Sequence, residues 1–148
     1  MGRLPSRGFS LVEMAIVLTI FGLVLAFGVP AYQSFNRTQQ LKGGTQNLAG
    51  QFRLMRETAI GTGASQIMHL NYQYLWNGQL SDYHIHNGIN PGALFSLPKG
   101  ITYYSFTTSI WQANADGTWQ ASGTIVLQDS KGVRDTLSVL GSGLVLTQ

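Results

Sequence analysis

Between Met14 and Val29 the chain reads MAIVLTIFGLVLAFGV, sixteen residues without a charge and with Thr19 as the one hydroxyl. Extended back to Phe9 the stretch is twenty-one residues long, which as a helix spans about 31 Å, enough to cross a bilayer core. After Pro30 the pattern changes. Leu41, Leu48, Phe52, Met55 and Ala59 recur at spacings of seven, four, three and four, an apolar stripe of helical period. Arg37, Gln40, Lys42, Gln46, Gln51, Arg53 and Arg56 fall on the other faces. This predicts an amphipathic helix over 31–63, ended by Gly61-Thr62-Gly63, whose stripe is the seam against a globular part. Pro30 has no N–H to donate and crowds the preceding turn, so with Gly22 and Gly28 nearby it predicts a kink where the first helix ends. Gly43-Gly44 costs about 1 kcal/mol per glycine relative to alanine, which predicts a second bend or a frayed turn.

From residue 64 onward the pattern is strand-like and broken by turns. Short runs at 66–70, 72–76 and 83–86 are followed by better strands at 101–106, 124–128, 136–140 and 144–147. Asn77-Gly78, Asp116-Gly117, Ser130-Lys131-Gly132 and Gly141-Ser142-Gly143 lie between runs as turn signals. Six or seven short strands with no further helical period predict an antiparallel β head at 64–148. The fold class is α+β: a long N-terminal helix packed on an antiparallel sheet.

Composition sharpens this picture in places. The 148 residues carry 10% charged side chains and no cysteine. The usual charged fraction is roughly 25%, so part of the chain faces something other than water. The missing thiols exclude a disulfide scaffold, a thiolate metal site and a cysteine nucleophile. The net charge of +3 carries little weight, because Arg3 and Arg7 precede the apolar run and the remaining seven basic residues meet six acidic ones. No basic residue follows those two until Arg37, so the positive-inside bias keeps the N-terminus cytoplasmic and sends the remainder outward.

Three readings fit the first thirty residues: a plain single-pass anchor, a secretory signal peptide cut near Ala26-Phe27-Gly28, or a segment in which Glu13 has a function. A carboxylate at mid-bilayer costs up to roughly 3 kcal/mol, and neither an anchor nor a signal peptide gains from one. The residues Arg7-Gly8-Phe9-Ser10-Leu11-Val12-Glu13-Met14 resemble the processing site of type IV prepilins and type II secretion pseudopilins. The resemblance implies a leader over 1–8, cleavage between Gly8 and Phe9 by a membrane prepilin peptidase, and N-methylation of Phe9. It implies that Glu13, fifth in the mature chain, serves assembly, and that Pro30, twenty-second, marks the usual helix bend. A new ammonium at Phe9 of one subunit would neutralise Glu13 of its neighbour where the dielectric is low, and breaking such a buried pair typically costs several kcal/mol.

The head segments LPKG, ADGTW and SGTIVLQDSKGVRDTLSVLGSGLVL, together with Leu48 to Ala59, resemble the H-type minor pseudopilin family (GspH/FimT). That resemblance implies a lollipop with leader 1–8, transmembrane and assembly helix 9–30, amphipathic helix 31–63 and head 64–148. It implies a subunit of a type II secretion pseudopilus or a type IV pilus. Its expected partners are prepilin peptidase, other pilin subunits, an inner-membrane assembly platform and membrane lipid. Its expected location is the bacterial inner membrane, single-pass with a periplasmic head, and then an envelope filament.

Candidate chemistry in the head is sparse. His84 and His86 share a strand face with Asp82, and His69 is a third imidazole, but there is no H-E-x-x-H and no evident third ligand. The expectation is no metal, no other cofactor and exposed strand histidines. No nucleophile elbow or phosphate loop is present, so no catalysis is expected. Tyr72, Tyr74 and Trp76 share a face that would suit base stacking, though a small β head needs such residues for its core. Some DNA-uptake minor pilins of the resembled family bind DNA through a basic C-terminal tail. Here the tail is Gly143-Leu144-Val145-Leu146-Thr147-Gln148, and Lys131 and Arg134 are offset by Asp129 and Asp135. A DNA-binding minor pilin is therefore the alternative, with nucleic acid disfavoured as a partner because few phosphate contacts give weak, salt-sensitive binding.

Overall fold

The computed structural model describes residues 10–76, 79–88 and 92–148, the side chains of 72–76 and 79 excepted. The chain divides into two compact units, Met1–Asn36 and Arg37–Gln148. A single helix, α1 (Leu11–Thr62), is 52 residues long and contains Pro30. It ends where Gly63 turns to φ 65 and its N–H donates back to the Ile60 carbonyl at 3.4 Å, the left-handed exit that glycine makes at least cost.

The second unit is held on the stripe read from the sequence. Leu41, Leu48, Phe52, Met55 and Ala59 are all buried, and Gly44, Thr45 and Ala49 complete the same face. Gly43-Gly44 is helical, not frayed. Gly44 is buried for a packing reason: a Cβ there would sit 3.3 Å from Cδ and Cγ of Pro98. The absent side chain thus lets the loop approach the helix, which offsets the propensity cost.

Eight strands are described in two antiparallel sheets. The first sheet has the order β3 (Ala93–Phe95), β2 (Gln79–His86), β1 (Gln66–Trp76), β5 (Ile110–Ala113). The second has the order β4 (Thr102–Phe106), β6 (Gly123–Gln128), β7 (Arg134–Val139), β8 (Val145–Thr147). The runs expected at 66–70 and 72–76 form one strand, β1, whose register against β2 shifts between Leu70 and Tyr74. Asn71 absorbs the shift at φ 51, a left-handed conformation that asparagine tolerates better than most residues. Two strands had no clear sequence signal. β3 and β5 are three and four residues long, too short for alternation to declare itself.

Both sheets contribute inward residues at period two. Met68, Leu70, Tyr83, Trp111 and Ala113 come from the first sheet, and Ile125, Leu127, Leu137, Val139 and Val145 from the second. Phe52 joins helix to sheet, meeting Trp111 edge-on at 5.5 Å and Trp119 tilted at 5.1 Å, a geometry that aromatic pairs favour. Arg53 and Arg56, off the apolar stripe, also bind the head: Arg53 Nη2 donates to the Val145 carbonyl at 3.1 Å and Arg56 Nε to that of Gly117 at 2.7 Å.

Candidate functional site

Two regions hold chemistry that the core does not use. The first is the start of α1. Ser10 N–H donates to Glu13 Oε2 at 2.8 Å, and Glu13 N–H donates to Ser10 Oγ at 3.2 Å. This is a reciprocal capping box, which supplies partners for two of the backbone donors that a helix start leaves open. Glu13 therefore has a local role that sequence reasoning missed, although the signature Ser-x-x-Glu before an apolar run stood in plain view. Beyond it, apolar side chains on every side of the helix are exposed, from Leu11 at 88% through Leu18 and Phe21 to Phe27 at 75%. A helix apolar all round is at home in a membrane or among other helices, and this one is long and apolar enough to cross a bilayer. Gly8 and Phe9 lie outside the described residues.

The second region is the face of the first sheet opposite Met68, Leu70 and Tyr83. Antiparallel pairing sets His69 of β1 directly across from His84 of β2, and Ile67 across from His86. Same-face neighbours in a sheet lie two residues apart, so all three imidazoles meet. The rings are stacked, with centroids 4.7 Å apart for His69 and His84, 5.1 Å for His69 and His86, and 5.5 Å for His84 and His86. One nitrogen from each ring falls in a group whose members all lie within 4.8 Å of one another.

The strand histidines expected to be exposed are buried, His84 at 4% and His86 at 8% exposure, while His69 is half-buried. Burial, and then the neighbouring imidazoles, lower the pKa of His84; burial and then His86 do the same for His69. Desolvation disfavours the charged form of a base, and like charges disfavour each other. The structure thus brings His69, the third imidazole, beside His84 and His86. Asp82 does not join the group; its Oδ2 accepts the Leu97 N–H at 2.7 Å. The cluster was within reach of a hairpin reading. A turn at Asn77-Gly78 with simple pairing sets His69 opposite His86, and the shift in β1 moves it by two residues to His84, preserving the shared face.

The residues weighed for nucleic acid are dispersed. The Arg134 guanidinium lies 3.4 Å from the Tyr104 ring centroid, a cation–π contact. Asp129 is buried and its Oδ1 accepts the N–H groups of Lys131 at 2.8 Å and Val133 at 2.9 Å, so it shapes the β6–β7 turn. The side chains of Tyr72, Tyr74 and Trp76 lie outside those described.

Comparison with known proteins agrees with these features. Residues 3–29 match the family described as the prokaryotic N-terminal methylation motif. No curated protein matches the chain in sequence. Among solved structures, the Pseudomonas aeruginosa (strain PAO1) type IV minor pilin FimU in space group P21 is 14% identical with a TM-score of 0.51, covering 77% of this chain and 92% of that one. The same pilin in space group P65 is 13% identical with a TM-score of 0.54, covering 73% and 92%. The fold, a long apolar helix with antiparallel sheets, is thus that of a type IV pilin. The chain is type IV pilin-like and carries the methylation motif at its N-terminus.

Proposed function

We propose that the chain is a structural, non-enzymatic subunit of an envelope filament, a minor pilin or pseudopilin of the H type. It serves a type II secretion pseudopilus or a type IV pilus. In this reading prepilin peptidase removes residues 1–8, Phe9 becomes the methylated N-terminus, and the helix over 9–30 resides in the inner membrane. Pro30 loosens the helix at the membrane exit, and the amphipathic helix over 31–63 carries the head of residues 64–148 on the periplasmic side. An inner-membrane platform then passes the subunit into the filament beside other pilins.

The observation that carries this reading is an apolar helix exposed on all sides whose only charged side chain up to Asn36 is Glu13, lying within the segment that matches the methylation motif. In a bilayer or a helical bundle that carboxylate needs a positive partner, and the α-ammonium made by cleavage at Phe9 is the nearest one the chemistry supplies.

The capping box makes the test sharp, because the two roles of Glu13 separate. Glu13→Gln keeps a side chain that completes a capping box but removes the charge; Ser10→Ala removes the cap and keeps the charge. In the native host, Glu13→Gln is expected to be cleaved and yet absent from sheared filaments, while Ser10→Ala is incorporated. Incorporation of Glu13→Gln at the wild-type level defeats the assembly role. Mass spectrometry of the mature chain is expected to show methylated Phe9 as its first residue; an N-terminus at Met1, or a cut at Gly28, defeats the processing scheme. The DNA-binding alternative has weaker support, since Arg134 is engaged by Tyr104.

A further inference from the structure

The geometry points to a binding site for one late first-row divalent cation, of the Zn²⁺ class, at His69, His84 and His86 on the outer face of the β1–β2 pair. The donors are three imidazoles with no carboxylate among them. Such a set suits zinc and its neighbours and offers little to Ca²⁺ or Mg²⁺, which take oxygen ligands.

The distances define what binding demands. Three nitrogens now within 4.8 Å of one another have to approach to about 3.4 Å around a tetrahedral ion at roughly 2.0–2.1 Å from each. Parallel rings direct their lone pairs along parallel planes, so the rings also turn out of their stack as they close. Room and access lie on the His69 side. A groove of about 500 Å³, lined by His69, Leu70, Asn71, Phe106, Ser109 and Ile110, opens there. It offers the hydrated ion a route to His69.

His86 supplies the independent observation. It is 92% buried by its 8% exposure, and its Nε2 has no hydrogen-bond partner among the described residues. Its Nδ1 accepts the Gly88 N–H at 3.1 Å, which leaves the proton of the neutral ring on Nε2. A cation taken at Nε2 moves that proton to Nδ1, and a cation taken at Nδ1 displaces the Gly88 N–H directly. In both cases the Gly88 amide loses its acceptor. Metal binding is therefore reported at Gly88 whichever nitrogen ligates.

The test uses the full chain, without a histidine tag, in detergent micelles and stripped of metal. Titration with Co²⁺ is expected to give one equivalent of a four-coordinate spectrum in the visible, which Zn²⁺ then displaces. Changing a residue that merely orients a metal ligand costs about 10–100-fold in affinity. Losing a ligand in His84→Gln is expected to cost at least that much, as is the half-exposed His69→Gln, which spares the more buried positions if His84→Gln does not fold. In the wild-type chain the ¹⁵N-resolved Gly88 amide signal is expected to move in step with Zn²⁺ occupancy. Co²⁺ binding that is six-coordinate and unchanged by both variants overturns the proposal, and so does a Gly88 amide unmoved when Zn²⁺ is in excess.

Discussion

Tyr83 shows how single residues are tuned in the head. It is buried, its ring stacks on Phe95 at 5.1 Å, and burial, followed by the Asp82 carboxylate, pushes its hydroxyl from 10.0 up to about 12. Tyr103 is raised as well, mainly by burial. The folded chain therefore keeps a proton on Tyr83 that the unfolded chain releases above pH 10. Because the unfolded state binds fewer protons in that window, stability is full below pH 10 and falls as pH rises through about 12. Denaturant midpoints measured across that range are expected to decline. Gly143 carries a different constraint. It adopts φ 97, and a Cβ there would lie 2.7 Å from the Gly117 carbonyl and crowd the Arg56 guanidinium, which bonds that carbonyl. Gly143→Ala is expected to destabilise by more than about 1 kcal/mol, whereas Arg56→Lys at the same contact costs less; chemical denaturation compares the two.

Among the elements, the helix of the second unit follows from periodicity and the strands only partly do. A period of 3.6 sustained over five apolar positions identified the buried stripe, because a helix that packs by one face repeats that face in its sequence. Phe52 is its centre, fully buried between Trp111 and Trp119. Phe52→Ala is expected to cost about 3–5 kcal/mol, read as a lower urea midpoint. Trp111 and Trp119 sit in short or irregular segments, so nothing local to them disclosed that they share one contact. The same limit explains β3 and β5. Short strands are held by their neighbours' backbone groups, and that pairing leaves little trace in their own residues. Arg53 and Arg56 lie off the apolar stripe, and hydropathy says nothing of their partners; long stems let both guanidinium groups reach carbonyls of the head.

For the molecule as a whole, the contrast between the two units carries the function. Residues of the second unit bury a joint core of helix and sheets, while the described residues of the first bury no apolar side chain. An exposed apolar surface of that extent calls for lipid or neighbouring helices. Leu18→Arg sets a charge near the middle of the apolar run, at a cost of about 2.5–3.5 kcal/mol for insertion. Alkaline carbonate extraction of host membranes is expected to leave the wild-type chain in the pellet and to release a larger share of the variant.

Order along the chain was enough to define the apolar helix, its single carboxylate, the amphipathic stripe, the α+β class and the resemblance to pilins, since each depends on residues close in sequence. Tertiary structure alone decided how the strands divide into two sheets, why Gly44 is needed beneath Pro98, and that His84 and His86 are buried. Those outcomes depend on pairing between distant segments. A register shift of two residues at Asn71 changes which side chains oppose each other while leaving the local pattern of hydrophobicity untouched.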